Sequence, residues 1–411
     1  MDNLTHTLAG VLVGETIARV SRPSAEGLPD PQRRNLFVTL MAIGSNAPDL
    51  DFLSSMISGD KLEYLIEHRG HTHTAIGAVV GAAILFACAL AWCRWRRLPL
   101  ARSDLLQIGG ISLLALLLHV TMDFANNYGV HPFWPLYNGW FYGGAIFIWE
   151  PLLWSAAAPL VFILRTKFAS ALIAVLLISA IAACFGSGLV PMGSSIVMIA
   201  LTIIMLAIGR RALARTALLA GMGLWIAITL TFAIGRVTTK SQLEPFAADR
   251  FPDATVLDYV LTPMPADPLC WDVMLPMTIG DEYVIRHGVW SVLPGIVPAD
   301  QCPGLGLFTD ITAPLVEVEG EDSIQMHWRG EIRMPRGELS TLAKERCEIA
   351  AFLQFARVPW ALRKETAWIV GDLRYDREPE LGFAELEIED GTQKCPSSTA
   401  PWIPPRADLL R

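Results

Sequence analysis

His6, the run Ser45-Asn46-Ala47-Pro48-Asp49-Leu50-Asp51, the run His68-Arg69-Gly70-His71-Thr72-His73-Thr74, the pair His119 and Asp123, and Glu150 are the residues of this chain best suited to chemistry. Six of the eight histidines precede residue 132. Imidazole nitrogen and carboxylate oxygen, with no thiolate nearby, suit Zn²⁺, Mn²⁺ or Fe²⁺. His119 and Asp123 are four apart and share a helix face, where they can chelate one ion or simply hydrogen-bond to each other. Taken singly, each group has a plain reading, a packed histidine or a solvated loop. Taken jointly, His6, Asp49, Asp51, His68, His73, His119, Asp123 and Glu150 outnumber the roughly four ligands of a structural zinc, which leaves room for one ion or for two or more. Paired ions about 3.5–4 Å apart activate water and hold both oxygens of a displacement.

The elements that must position these groups are membrane helices. Charged residues are 18% of the 411, and mean hydropathy is +0.41. This excludes a disordered chain, a nucleic-acid binder with a basic face and most soluble enzymes. Through Gly235 there are 15 basic and 12 acidic residues; after it there are 17 and 28. The chain reads as a membrane domain over 1–235 and an acidic soluble domain over 236–411. Apolar runs near 20 residues predict eight spans, at about 4–20, 36–54, 74–93, 105–126, 145–164, 169–189, 194–209 and 216–235. With the first span running inward, the cytoplasmic loops carry 13 Lys and Arg (Arg19 at a span boundary included) and the opposite loops only Lys61 and Arg69. That split predicts both termini outside the cytoplasm. The amino-terminal residues lack the basic start of a cleavable signal. On this topology every candidate ligand falls toward the outer face, while Cys88, Cys93 and Cys184 cannot join them.

Several of these pieces resemble the YdjM family of membrane-bound, metal-dependent hydrolases. They are Thr5-His6 followed by Gly10, Pro48-Asp49-Leu50-Asp51, His68-Arg69-Gly70 with Thr72-His73-Thr74, and His119-Val120-Thr121-Met122-Asp123 followed by Tyr128-Gly129. Gly371-Asp372-Leu373-Arg374-Tyr375 looks like a segment of the longer members. The resemblance covers the first 150 residues well and the rest loosely. It implies distant kinship with zinc-dependent phospholipase C and related nucleases, helical proteins in which His and Asp hold a cluster of metals. Carried over, His6, Asp49, Asp51, His68, His73, His119 and Asp123 would be ligands or act beside them. His71 falls at a variable position. Glu150-Pro151 stands where the family is expected to have Asp-Pro, and still offers a carboxylate.

After Arg236 the pattern becomes strand-like, over Glu282–Val292, Ser323–Met334, Thr366–Tyr375 and Phe383–Ile388, with one helix expected at Leu339–Ala356. This predicts an extracytoplasmic α+β or β-rich domain. Cys270, Cys302, Cys347 and Cys395 can form two disulfides in three connectivities, or remain free. His287 and His327 read as surface or core residues, and Met264–Trp271 and Ala400–Pro405 as packing and turns.

The expected function is a hydrolase in a bacterial cytoplasmic membrane. A lipid or lipid-linked substrate would be attacked at the outer, periplasmic face by metal-activated water. Its partners are the bilayer and that substrate, with no nucleic acid. Asp49, Asp51 or Glu150 would serve as base. Arg69 would steady an anionic phosphate or anchor at the headgroups. A metal-ion or proton-coupled transporter would instead show repeated halves and midplane ligands, neither of which is visible here. A metal that only staples helices is the third reading.

Overall fold

The computed structural model describes residues 1–53, 59–304, 312–318, 321–391, 393–396 and 400–410. Residue 54, the last of the second expected span, lies outside the described residues. The amino-terminal part is helical: α1 (Asn3–Val20), α2 (Asp30–Gly44), a 3₁₀ turn (Ala47–Asp51), α3 (Lys61–Glu67), a second 3₁₀ turn (His71–His73), α4 (Ala75–Trp95) and α5 (Arg102–Phe124). There follow α6 (Pro151–Ala156), α7 (Leu160–Ile163), α8 (Lys167–Gly186), α9 (Met192–Arg211) and α10 (Ala214–Arg250).

Five of these helices, α4, α5, α8, α9 and α10, are long and apolar enough to cross a membrane. Their outward residues, such as Val79, Ile84, Ile178 and Ile203, are exposed, so these helices are apolar on the side turned away from the bundle as well as within it. This is a membrane protein. The expected count of eight spans is not supported. Helices do form over the first two, but α1 carries Glu15 and Arg19, and α2 has only 15 residues and opens on Arg33 and Arg34. The fifth expected span is broken. Residues Ala145–Glu150 are not helical, and Pro159, which has no amide hydrogen to donate, separates α6 from α7. At about 1.5 Å per residue neither piece spans a hydrocarbon core about 30 Å thick.

Helix α10 has 37 residues, about 55 Å at 1.5 Å per residue. It continues without a break through positions 235 and 236, and its far end packs Leu243 and Ala247 against Trp271 and Val273. The sheet-rich part begins there, with β1 (Ala254–Val256), β2 (Val260–Met264), β3 (Asp267–Ile279), β4 (Glu282–Ser291) and β5 (Met326–Pro335) in one antiparallel sheet ordered β1-β3-β4-β5, β2 also pairing with β3. Next come α11 (Glu338–Glu345), α12 (Cys347–Phe352), and a second antiparallel sheet of β6 (Pro359–Arg363), β7 (Ala367–Asp372) and β8 (Glu385–Glu389). The single helix expected at Leu339–Ala356 is thus two, because Arg346 takes extended dihedrals between them. The cysteines pair as Cys270–Cys302 and Cys347–Cys395, with Cα separations of 5.7 and 5.4 Å.

Both parts share one core. Leu62, Leu65 and Ile66 of α3, with Tyr128, pack among Ile285, Phe352, Phe355 and Trp360. The sheet-rich part therefore sits over the loops that follow α2, α3 and α5.

Candidate metal centre

Helix α5 presents His119 and Asp123 one turn apart on its inward face, both fully buried. The two 3₁₀ turns bring Asp49 and His73 to the same point. His73 Nε2 lies 3.1 Å from Asp123 Oδ2 and 3.3 Å from Asp49 Oδ1. His119 Nε2 lies 3.3 Å from each of those oxygens and 3.0 Å from His73 Nε2. Four ligands about 2.0–2.1 Å from a tetrahedral ion would be about 3.3–3.4 Å from one another. These separations are close to that.

The tautomers point the same way. His119 Nδ1 is 2.7 Å from the Ser45 carbonyl, which can only accept, so Nδ1 carries the hydrogen. His73 Nδ1 is 2.9 Å from Thr72 Oγ1, whose own hydrogen goes to Asp51 Oδ2 at 2.7 Å, so this Nδ1 also donates. If both rings are neutral, two Nε2 lone pairs face each other beside an Asp49 Oδ1 that is buried and without a hydrogen-bond donor. Acceptors so arranged repel one another unless a cation lies between them. The four residues fit a divalent ion, and this buried Asp/His group could bind one.

The eight expected ligands therefore separate. Asp49, His73, His119 and Asp123 converge. His6, on the first turns of α1, stacks on His119 at 4.0 Å and meets the other oxygen of Asp123 at 3.1 Å. That oxygen also contacts the Met1 amino group and Arg69 Nη2, the latter at 3.0 Å. Asp51 holds His68 Nδ1 at 2.9 Å and the Arg69 amide at 3.0 Å; with Asp49 they form a second group of possible ligands. Glu150 does not join. It caps α6, and its oxygens accept the amides of Leu152 at 3.0 Å and Ala266 at 3.1 Å, so it joins the membrane part to the sheet-rich part. The general-base role expected for Glu150 has no geometric support. His71 is exposed and lies against Trp134 and Trp402, away from the cluster.

Arg69 stands against Asp123. It is buried, at a φ of 61°, with Nη1 2.8 Å from Asn126 Oδ1 and its guanidinium 4.6 Å from the Tyr128 ring centre. It is the counter-charge of Asp123. Asn126, which orients Arg69, was not singled out by the sequence; Ser45 and Thr72, which orient His119 and His73, lay inside the runs it offered but with no role of their own.

A model of the YdjM inner membrane protein family matches residues 1–192, a stretch that holds every residue of this centre. The match covers just under half of the chain. A relative in Bacillus subtilis (strain 168), the uncharacterized protein YfhP, is 29% identical over 153 residues, 37% of this chain and 43% of its own length. The chain thus matches less than half of that relative. No solved structure matches it.

The YdjM match ends before the sheet-rich part, including Gly371–Tyr375, yet that part completes the site. Arg374 and Asp372, both fully buried, pair at 2.6 Å, and Arg374 Nη1 reaches the carbonyl of Asn127 at 2.6 Å, clamping the loop that leaves α5. Between the two parts lies a cavity of about 680 Å³. Asp49, His68, Arg69 and Tyr128 from the YdjM region line it on one side, and Tyr375, Arg377, Glu378 and Phe383 on the other.

Proposed function

We propose that the protein is an integral-membrane, metal-dependent hydrolase cleaving a phosphoester or related bond of a lipid or lipid-linked substrate. The observation that carries this reading is the convergence of His73 Nε2, His119 Nε2, Asp49 Oδ1 and Asp123 Oδ2 beside a substrate-sized cavity. A purely structural metal is closed off by its ligands and has no need of such a space. Here Asp49 both belongs to the cluster and lines the cavity.

His73, His119, Asp49 and Asp123 would hold one ion, with zinc favoured by the nitrogen and oxygen donors and their spacing, and manganese or iron as substitutes. When bound, a divalent cation polarises the scissile ester and acidifies water toward neutral pH. Asp51 and His68 form the proton-transfer pair. With Nδ1–H donated to Asp51, the His68 ring keeps Nε2 as an acceptor, and it stands in the cavity wall stacked on Tyr64 at 4.8 Å. Asp51 is occupied by His68, Thr72 and the Arg69 amide, which favours an orienting role over ligation. Residues from the sheet-rich part form one wall of the cavity. The loop-charge split and the position of the cluster favour the periplasmic face of a bacterial cytoplasmic membrane.

The test is hydrolysis of a panel of short-chain phospholipids and lipid diphosphates by zinc-loaded, detergent-purified protein. Turnover should be lost to a chelator and restored by zinc. In His68→Ala it should fall about 10²–10⁴-fold with metal content unchanged. If the zinc-loaded protein hydrolyses nothing in the panel, the hydrolase reading is wrong.

A further inference from the structure

We propose that Arg377 is the anion-recognition residue of the cavity, and that the ligand is an amphiphile whose phosphate-type oxyanion it holds. The inference rests on the hydrolase reading and gives it a substrate class.

Two arginines, Arg69 and Arg377, line the cavity. Arg69 is paired with Asp123 at 3.0 Å and with Asn126, and Arg374 with Asp372. Arg377 lines the cavity itself. Its Nη2 donates to the Arg374 carbonyl at 3.1 Å, and its guanidinium lies 5.6 Å from the Phe147 ring centre. Among the described residues no carboxylate comes within 4.0 Å of it. Asp272 is engaged by His287 at 2.8 Å, and Glu378 lines the cavity beside it without pairing. Asp272 and Glu378 attract it only from beyond ion-pair distance, which leaves the forked donors of this half-buried guanidinium open to the oxygens of a phosphate. Six aromatic rings line the cavity with it, Phe52, Tyr64, Tyr128, Phe147, Tyr375 and Phe383, alongside polar residues that include Asp2, Asp49 and Glu378. The buried hydroxyls of Tyr128 and Tyr375 have no hydrogen-bond partner, two further polar groups whose needs this structure leaves unmet. A cation in no ion pair, in a chamber rich in aromatic rings beside the candidate metal ligands, fits a molecule with an anionic head and an apolar body.

The probes are dihexanoylphosphatidic acid, its neutral counterpart dihexanoylglycerol, and inorganic phosphate. Binding of each to the full-length protein in detergent is read by titration calorimetry. Phosphatidic acid should bind at least tenfold more tightly than either of the others. Its affinity should fall at least tenfold in Arg377→Gln, recover in part in Arg377→Lys, and rise in Glu378→Gln. Equal affinity in wild type and a folded Arg377→Gln, shown by unchanged metal content, would overturn the proposal. So would inorganic phosphate binding as tightly as the amphiphile, since the aromatic wall would then contribute nothing. Arg377-dependent binding in a protein that takes up no metal would sink the hydrolase reading alone. Metal uptake with Arg377-independent binding would sink this one alone.

Discussion

Asp51 holds His68 Nδ1, Thr72 Oγ1 and the Arg69 amide at 2.9, 2.7 and 3.0 Å, and Thr72 in turn receives His73 Nδ1. It fixes two histidine rings without itself being one of the four converging groups. Partners of this kind set a ligand's tautomer and orientation, and losing one costs about 10–100-fold in metal affinity. Asp51→Asn is therefore expected to weaken zinc binding by that factor in a competition titration, and an unchanged affinity would make Asp51 a bystander. The sequence offered Asp49 and Asp51 as equals. Only the 3₁₀ turn, which sends one toward His119 and the other toward His68, separates them. Glu150 looked like a ligand by type and company. Its place before Pro151 is also that of a helix cap, with Pro favoured at the first helical position, and that plainer signal was the right one. Arg377 had no signal at all, because its importance comes from the direct ion pair that its neighbouring carboxylates do not make with it.

At the level of elements, helical periodicity and apolar length located all five helices fit to span the membrane, and strand-like alternation located β4, β5, β7 and β8. Strand β3 escaped because it contains Pro268 and Pro276, which normally argue against a central strand. Pro276 is tolerated because it falls where the neighbouring strand changes from β1, ending its pairing at Met277, to β2, beginning at Met274. No amide is needed on that side. The break between α6 and α7 was likewise hidden by an apolar run whose one proline decides its structure. The clamp from β7 to the loop after α5 could not be read in advance, since it joins residues 247 apart. Arg374→Met would leave the Asp372 carboxylate buried and uncompensated, which costs about 3–5 kcal/mol. Urea unfolding of the detergent-solubilised protein should register a loss of that size. A change within about 0.5 kcal/mol, as for an ordinary surface substitution, would mean that the pair does not hold the two parts together.

For the whole molecule, the seam between membrane part and sheet-rich part is where the site is completed, and it contains a titrating group. Glu385 of β8 is buried beside Asp376, and its own backbone carbonyl accepts from Lys61 of α3 at 2.9 Å. Burial first, and then the charge of Asp376, push its carboxyl from 4.5 up to about 7. A carboxyl raised on folding favours the folded state most below its unfolded value, and that contribution is lost as pH rises through 4.5 to about 7. Glu385→Gln should therefore melt like wild type near pH 4 and higher than wild type at pH 8. Parallel melting curves at both pH values would remove the seam from any account of pH dependence. The most direct test of the centre itself is the metal content of the purified full-length protein by elemental analysis, alongside a His119→Ala, Asp123→Ala double variant. The account predicts close to one zinc, manganese or iron per chain, lost in the variant. A folded wild-type protein that contains no metal and takes none up at micromolar concentration would contradict it, and the four facing acceptors would have to be read as a proton-sharing network.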